Sequence, residues 1–273
     1  MRETLFLCVA ILFFALSGKA QQIHIPDSAF KHYLLERTIE GGFADFDEDS
    51  LHIDLNGDGE ISVSEAARVI NLELVDSDIY SLEGLQYFTG LEMLSCSDNS
   101  LKTLDVSKNV NLKLLQCSEN QLGFIDVSKN VNLETLLCDK NQLFILNVHR
   151  NPKLKRLECH YNMLSVVDVS ANKTLEYIAC SNNALTSLDV SQNGELGYLD
   201  CTSNQLESLD VGNNGKLWGL FCYDNRLTAL DVTNNPVLRN LSCWNNPLTV
   251  IYATSQQDQS MWGLPDDVEL ILK

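Results

Sequence analysis

Residues 91–111 read LEMLSCSDNSLKTLDVSKNVN, and residues 112–132 repeat the same pattern as LKLLQCSENQLGFIDVSKNVN. The pattern returns every 21 residues as far as Leu248, and one cysteine in each repeat marks its spacing. The eight cysteines are Cys96, Cys117, Cys138, Cys159, Cys180, Cys201, Cys222 and Cys243. A fixed period of this length indicates a solenoid, in which each repeat forms one coil and stacks on its neighbours.

The first part of each repeat alternates between apolar and outward-facing positions. In the first repeat, Leu94 and Cys96 share one face of an extended segment, while Met93, Ser95 and Ser97 take the other face. Burying an apolar side chain stabilises the fold by about 1.5–3 kcal/mol, whereas ordering each residue's backbone costs about 1–2 kcal/mol. Because one coil buries only four or five such side chains, it is stable only when stacked between neighbours.

Two columns of asparagine fall where the chain must turn inside the stack. The first column comprises Asn99, Asn120, Asn141, Asn162, Asn183, Asn204, Asn225 and Asn246. The second column comprises Asn109, Asn130, Asn151, Asn172, Asn193, Asn214 and Asn235. Buried turns leave backbone groups without ladder partners, and a side-chain amide offers both a donor and an acceptor. We therefore expect both columns to satisfy the turns and to be structural.

The cysteine column is expected to consist of reduced, buried thiols. Stacked coils place equivalent residues about 4.8 Å apart, but their parallel side chains cannot adopt the disulfide dihedral of about 90°. A straight line of thiols also cannot converge on one tetrahedral zinc ion. Cysteine is interpreted here as a small apolar filler.

The chain begins with a stretch typical of a secretory signal. Residues 1–20 contain Arg2 in a short first region, an apolar run from Leu5 to Leu16, and Gly18-Lys19-Ala20 before Gln21. The apolar run is shorter than the roughly 20 residues that span a bilayer. We therefore expect an exported protein, secreted or at the cell surface, with no membrane insertion.

The most specific chemical motif lies at residues 54–65, which read DLNGDGEISVSE. This segment matches an EF-hand calcium loop at every constrained position, with Gly59 at the sharp sixth-position turn. The predicted ligands are Asp54, Asn56, Asp58, the carbonyl of Glu60, Ser62 and Glu65. The alternative is an acidic, glycine-containing turn that binds nothing.

The remaining segments complete four predicted units. Residues 1–20 form the signal peptide, 21–69 a helical cap with the calcium loop, 70–250 the solenoid and 251–273 a C-terminal cap. Asp27 or Ser28 is a plausible start for the cap helix, which we expect to end near Arg37. Atypical units at both ends are expected because they close the open core.

The columns give the chain a resemblance to a known family. Leu-x-x-Leu-x-Cys-x-x-Asn-x-Leu resembles the leucine-rich-repeat signature with cysteine in the third leucine position. The repeats look like the 21-residue, cysteine-ladder variety of internalin-type bacterial proteins. The start, Ile25-Pro26-Asp27-Ser28-Ala29-Phe30-Lys31 followed by an EF-hand or dockerin-like loop, also resembles segments that precede such repeats. The resemblance implies a leucine-rich-repeat solenoid with short parallel β-strands on its concave side, an irregular extended convex side and a small α-helical N-terminal cap.

The sequence bears on three classes of function. A solenoid serves most often as an extended binding surface, so the first hypothesis is an extracellular recognition or adhesion module, expected to be monomeric. The alternative is an assembly module of a secreted complex that docks through its calcium loop. An enzyme is not expected, because no nucleophile-elbow, zinc-protease or phosphate-loop motif occurs. The net charge of −18 argues against nucleic acid as a partner.

A candidate ligand site emerges from the outward positions of the cysteine-bearing strand. Large rings accumulate there in the later repeats, and the predicted patch comprises Tyr177, Tyr198, Trp218, Phe221, Tyr223 and Trp244. Its predicted rim consists of Arg156, Glu158, His160 and Asp200. Exposed apolar clusters with a polar rim mark interaction sites, and aromatic groups suit both sugars and protein hot spots. The ligand therefore stays open as an extracellular protein or glycan; in the alternative interpretation the rings merely cover one another or pack under the C-terminal segment.

Overall fold

The computed structural model describes residues 21–36 and 52–273. The predicted signal sequence at residues 1–20 lies outside the described residues, as does the acidic segment 41–49 that precedes the calcium loop. Within the described ranges, no helix combines the length and the apolar character needed to cross a membrane.

Short strands dominate the described part of the chain. Its helices are α1 (Ser28–Glu36), α2 (Val63–Ala66) and a 3-10 turn at Leu85–Tyr87. The strands are β1 (Asn71–Glu73), β2 (Met93–Ser95), β3 (Leu114–Gln116), β4 (Thr135–Leu137), β5 (Arg156–Glu158), β6 (Tyr177–Ala179), β7 (Tyr198–Asp200), β8 (Gly219–Phe221), β9 (Ala229–Asp231), β10 (Asn240–Ser242), β11 (Val250–Ala253), β12 (Met261–Gly263) and β13 (Glu269–Leu272).

The strands form two parallel sheets on different sides of the coils. Ten strands make one sheet in the order β1-β2-β3-β4-β5-β6-β7-β8-β10-β12, and β13-β11-β9 make a second. Each strand of the large sheet pairs with the strand of the next coil, and in the regular repeats the register shift is 21 residues, as between Leu94 and Leu115. Equivalent residues of successive coils therefore line up in columns. We call the outward side of the ten-stranded sheet the concave face and the other long side the convex face.

The core is one continuous column of apolar side chains. Each coil contributes leucines, a valine and a cysteine, and the middle residue of each strand of the regular coils is buried. This burial follows from the period-2 alternation in the sequence, which points every second strand residue inward. The sequence-based prediction of a parallel β-solenoid with an irregular convex side is confirmed.

The cysteine column behaves as predicted. All eight thiols are free and buried, and each occupies the inward position next to a strand. Burial raises the pKa of Cys159 to about 12, and the same cause raises the pKa of Cys138 well above its ordinary value. The thiols are therefore protonated fillers of the core.

The first asparagine column satisfies the turns with both ends of its amide, as predicted. Asn141 Oδ1 accepts the backbone N–H of Leu122 at 2.9 Å. Its Nδ2 donates to the carbonyls of Cys117 at 2.9 Å, Cys138 at 3.2 Å and Asp139 at 3.2 Å. One side chain therefore joins backbone groups of neighbouring coils.

These amides hold a turn that is unfavourable in itself. The residue before each first-column asparagine has a left-handed backbone with φ between 50° and 55°. These residues are Asp98, Glu119, Lys140, Tyr161, Asn182, Ser203, Asp224 and Asn245. A left-handed residue that is not glycine costs roughly 1–2 kcal/mol, so the side-chain hydrogen bonds that follow must offset this cost in every coil.

The second asparagine column uses its amide donors as predicted, but not its amide acceptors. Asn172 Nδ2 donates to the carbonyls of Val148 at 2.9 Å and Asn151 at 2.8 Å. Its Oδ1, however, is buried and accepts no hydrogen bond within the described residues, and this holds throughout the column. The expectation that both columns use donor and acceptor alike was wrong, because the second turn presents carbonyls to the amide and no free N–H.

The N-terminal cap closes the first coil through a shared aspartate. Asp27 Oδ1 accepts the N–H of Phe30 at 3.0 Å and so caps helix α1. Its Oδ2 accepts the N–H groups of Tyr80 and Ser81 at 2.8 and 2.9 Å. The ring of Phe30 packs 6.2 Å from that of Phe88 between centroids. The cap is thus held to the solenoid by both polar and apolar contacts.

The residues of the predicted C-terminal cap extend both sheets of the solenoid. Strand β12 extends the large sheet, and β13 extends the small one. In the polar segment between β11 and β12, Gln257 Nε2 donates to the carbonyls of Val232 at 2.8 Å and Asn235 at 2.9 Å. Gln257 therefore takes over the role of the second asparagine column in the last coil.

Candidate ligand-binding face and calcium loop

The concave face changes chemistry from one end of the solenoid to the other. Residues that begin and end each strand point outward, and in the early coils they include Met93, Ser95 and Gln116. From β6 onward the same columns carry large rings, as at Tyr177 and Phe221. Because the columns run in register, rings from different repeats come into direct contact.

The first ring cluster is built around Tyr198. Its ring stacks on that of Tyr177 with 4.3 Å between centroids and 1° between planes. Trp218 and Phe221 tilt against Tyr198 at 5.3 and 5.4 Å. Trp218 is 42% exposed, while the other three rings are partly buried. The aromatic cluster, as we call these four residues, is packed within itself and open to solvent at its surface.

Two glycines make room for these rings. A Cβ atom at Gly197 would lie 2.9 Å from Trp218 Nε1, and one at Gly219 would lie 3.2 Å from Tyr198 Cδ2. Both distances are tighter than ordinary side-chain contacts. The sequence thus provides large rings and the gaps that receive them in adjacent coils.

The predicted patch consists of two ring groups. Tyr223 and Trp244 stack on each other with 4.3 Å between centroids and 12° between planes. Trp244 is 44% exposed. This second group, the aromatic pair, sits one column further toward the turn than the aromatic cluster. The rings therefore cover one another in part, as in the alternative interpretation of the sequence. Each group nevertheless keeps one exposed tryptophan.

The rim near Tyr177 is charged. The guanidinium carbon of Arg156 lies 3.9 Å from the centre of the Tyr177 ring. Arg156 Nε also donates to Glu158 Oε1 at 2.6 Å. On the other side, Asp200 Oδ1 accepts the N–H of Thr202 at 3.0 Å. Arginine stacked on an aromatic ring and paired with a carboxylate is well ordered for binding.

The tyrosine hydroxyls are neutral hydrogen-bonding groups. Burial is the main cause that raises the pKa of Tyr177, and Glu158 adds to it. Burial, Tyr177 and Asp200 raise the pKa of Tyr198 well above its usual range. Both hydroxyls therefore stay protonated at physiological pH and can donate as well as accept.

The predicted calcium loop, residues 54–65, is folded around its first aspartate. Asp54 Oδ1 accepts the N–H of Gly57 at 2.8 Å, and Oδ2 accepts the N–H of Gly59 at 2.8 Å. Both glycines have positive φ, 68° and 78°. Asn56 Oδ1 accepts the N–H of Asp58 at 2.8 Å. This is a tight loop whose conformation explains the glycines at those positions.

Glu65 fixes the other end of the loop. Its Oε1 accepts the N–H of Leu55 at 3.0 Å, and its Oε2 accepts the N–H and the hydroxyl of Ser62 at 2.8 and 2.7 Å. Ser62 and Glu65 together form a capping box at the start of α2. Lys31 Nζ pairs with Glu60 at 2.7 Å and connects the loop to α1.

The loop's donor set suits calcium, because carboxylate, amide and hydroxyl oxygens with one backbone carbonyl are what this ion prefers. The oxygens are spread out, since Asp54, Asp58 and Glu65 do not bring three carboxylate atoms within 4.8 Å of one another.

The structure also brings together three residues that the sequence reasoning did not group. Asp139, Glu158 and His160 place one potential ligand atom each within 4.8 Å of one another on the concave face. Glu158 and His160 were predicted only as rim residues. The repeat period could have indicated this grouping, because Asp139 and His160 are 21 residues apart and therefore occupy one column on adjacent coils.

The fold and its columns define a leucine-rich-repeat solenoid, and solved structures show the same architecture. No family model and no curated protein sequence matches the chain. The functional domain of InlJ from Listeria monocytogenes, which includes a cysteine ladder, is 34% identical with a TM-score of 0.59. That match covers 73% of this chain and 51% of the InlJ chain, so this protein spans about half of its length.

Two further structures are similar in fold alone. Internalin C2 from Listeria monocytogenes is 16% identical with a TM-score of 0.52, over 90% of this chain and 93% of that chain. The leucine-rich-repeat ectodomain of a plant membrane receptor kinase from Arabidopsis thaliana is 23% identical with a TM-score of 0.60. It is matched over 72% of this chain and 26% of its own, and was solved in complex with Casparian strip integrity factor 2. The structural neighbours of this chain are therefore internalin-type and other leucine-rich-repeat proteins.

Proposed function

We propose that this chain is an extracellular recognition module that binds a protein ligand on its concave face, at the aromatic cluster and the aromatic pair. The observation that carries the proposal is the arrangement of stacked rings with two half-exposed tryptophans, at one end of which an ordered arginine packs on Tyr177. Stacked rings of this kind are not required to close a solenoid, since the early coils do without them. Tryptophan, tyrosine and arginine are the residues that dominate protein–protein hot spots.

The ring geometry favours a protein over a glycan. Sugars pack on the flat faces of aromatic rings, but the faces of Tyr177 are taken by Tyr198 on one side and Arg156 on the other. Tyr223 and Trp244 likewise cover one face of each other. The second faces of Tyr223 and Trp244, the ring edges and the neutral hydroxyls remain for the ligand, and this mixture suits the mixed apolar and polar surface of a protein.

The structural neighbours support this class of function. The plant receptor ectodomain was solved in complex with Casparian strip integrity factor 2, and solenoids in general present extended surfaces to partners. The internalin-type neighbours support an exported location, and so does the signal-like start of the chain.

A peptide-display selection tests the proposal and needs no candidate ligand at the outset. The full protein is used as bait and compared with two triple variants. One replaces Tyr198, Phe221 and Trp244 by alanine on the concave face. The matched control replaces the exposed residues Phe124, Phe144 and Val166 by alanine on the convex face. We expect peptides that bind the wild type and the convex variant and that fail on the concave variant.

A glycan array run with the same three proteins gives the competing outcome. Glycan binding that the concave variant alone loses, in the absence of selected peptides, would show that the ligand is a sugar. Peptides that bind all three proteins equally would place the site elsewhere. Circular dichroism on each variant confirms that the comparison is made between folded proteins.

We also propose that calcium binds the loop at residues 54–65 and stabilises the N-terminal cap. Asp54, Asn56, Asp58, Ser62 and Glu65 would supply side-chain oxygens, with Glu60 giving its carbonyl. The loop already joins α1 through the pair between Lys31 and Glu60, so tightening it would restrain the whole cap. We assign calcium this stabilising role rather than that of a docking device.

Chelation is expected to lower the melting temperature by a few degrees. An extracellular site of this kind binds calcium at about 0.1–1 mM, so about 5 mM calcium would add roughly 1–2 kcal/mol of stability. Differential scanning fluorimetry with calcium or EDTA measures the shift. In Glu65→Gln the response to calcium should vanish, and the melting temperature without calcium should also fall because the capping box of α2 is lost. The exposed control Glu83→Gln should respond to calcium as the wild type does. A wild type that melts at one temperature in both buffers contradicts the proposal.

A further inference from the structure

We propose that Asp139, Glu158 and His160 form a binding site for a divalent transition-metal ion on the concave face, and that zinc is the ion it fits best. Asp139 and His160 stand in one column on successive coils, and Glu158 stands beside His160 on the same face. Zinc takes histidine nitrogen and aspartate or glutamate oxygen as ligands, and three protein ligands leave its fourth position to solvent or a ligand.

Two of the three ligands already stand at the spacing of a zinc site. One ligand atom from each residue lies within 4.8 Å of the other two. His160 Nε2 and Asp139 Oδ2 are 3.4 Å apart, which is long for a charge-assisted hydrogen bond. Two ligands of a tetrahedral ion with bonds of about 2.0–2.1 Å are roughly 3.3–3.4 Å apart. The His160–Asp139 separation therefore already equals one edge of a zinc tetrahedron.

The side chains are largely withdrawn from water. The exposed fraction is 13% for the Asp139 side chain, 15% for Glu158 and 22% for His160. Ser118 donates its hydroxyl to Asp139 Oδ1 and orients that carboxylate from outside the site. Outer partners of this kind are typical of metal ligands. Lower solvation of the carboxylates strengthens their attraction for a cation.

The imidazole is not held in place by hydrogen bonds. His160 Nδ1 is buried and has no hydrogen-bond partner among the described residues, and only the long contact to Asp139 engages Nε2. A ring whose two nitrogens are so poorly satisfied is costly unless another partner completes it. A metal bond to Nε2, the nitrogen that faces Asp139, would supply a partner for that atom.

Charge also leaves room for a cation. Arg156 engages Glu158 through Oε1, so this arginine supplies one positive charge against the two carboxylates of Asp139 and Glu158. Together with the arginine, the two carboxylates carry one net negative charge, which a divalent ion would reverse. The ladder thiols do not compete for it, since Cys138 and Cys159 are buried on the inner side of the same coils.

Zinc titration of the full protein tests the site. Isothermal titration calorimetry with zinc chloride is run in excess calcium, which keeps the loop at residues 54–65 occupied. We expect one zinc ion per chain for the wild type, and affinity reduced by at least about tenfold in His160→Gln and in Asp139→Asn. His149→Gln, at an exposed position on the convex side, is the matched control and should bind as the wild type does.

A second readout requires no variant. In the wild type, NMR of the imidazole nitrogens should show one histidine, His160, whose nitrogen shifts move on adding one equivalent of zinc. Absence of saturable binding in the wild type would overturn the proposal, and so would equal affinity in His160→Gln or zinc-dependent shifts confined to another histidine. The site is independent of the proposed ligand, so either conclusion can fail while the other stands.

Discussion

Replacement of Asn141 by alanine is expected to lower the free energy of unfolding by about 3–5 kcal/mol. The amide accepts the N–H of Leu122 and donates to three carbonyls in two coils. Alanine leaves the N–H of Leu122 without a partner, which costs about 1–3 kcal/mol. It also removes one of two donors from each carbonyl, since Cys117 O keeps Asn120, Cys138 O keeps Asn162 and Asp139 O keeps the N–H of Glu119, and each lost bond costs about 0.5–1.5 kcal/mol before relaxation. The left-handed turn at Lys140 loses its support at the same time.

Chemical denaturation of the wild type and two variants measures the effect. Asn132→Ala is the matched control, because Asn132 makes one exposed hydrogen bond, with Lys153. That change should cost no more than about 0.5 kcal/mol. If Asn141→Ala were as stable as Asn132→Ala, the first asparagine column could not be what holds successive turns together.

Stability is expected to fall steeply as the pH rises above about 9. A free thiol has a pKa of about 8.5, whereas burial raises the pKa of Cys96 and Cys159 to about 12. Below pH 8.5 both states are protonated and the thiols add no pH dependence. Above it the unfolded chain releases protons that the folded chain keeps, so each thiol costs about 1.4 kcal/mol per pH unit until the folded pKa is reached. Eight such thiols lose roughly 10 kcal/mol over one unit, which rivals the total stability of many domains.

Urea midpoints measured between pH 8 and 10.5 test this expectation, and Cys138→Ala isolates one thiol. The variant begins less stable because it leaves a small cavity. Its disadvantage should then shrink by about 1.4 kcal/mol per pH unit above pH 9, since it lacks one ionisable group in the unfolded state. A constant difference between the two proteins across this range would mean that Cys138 ionises in the fold.

Much of the fold could be predicted because the sequence repeats. A period of 21 residues fixes the register of every strand pair, so Leu94 must lie beside Leu115 and the cysteines must form a ladder. The units at the two ends of the solenoid were harder to predict from the sequence. Nothing in the local pattern indicated that Gln257 would replace an asparagine, because its role depends on carbonyls contributed by the preceding coil.

The candidate sites were predictable in membership and not in geometry. The 21-residue period places the aromatic residues on one face, but the orientation of each ring depends on the side chains packed around it. The gaps at Gly197 and Gly219 decide how Trp218 and Tyr198 lie, and that packing divides the patch into a cluster and a pair. The unsatisfied Oδ1 atoms of the second asparagine column were likewise invisible, because sequence shows the amide but not which backbone groups face it.

The most direct test of the concave-face assignment is the affinity of a selected peptide for three forms of the protein, measured by surface plasmon resonance. Hot-spot side chains contribute about 2 kcal/mol or more each, so the Tyr198→Ala, Phe221→Ala, Trp244→Ala variant should bind at least about a hundredfold more weakly than the wild type. The convex variant with alanine at Phe124, Phe144 and Val166 should bind as tightly as the wild type. Unchanged affinity in the folded concave variant, or loss of binding in the convex one, would contradict the account.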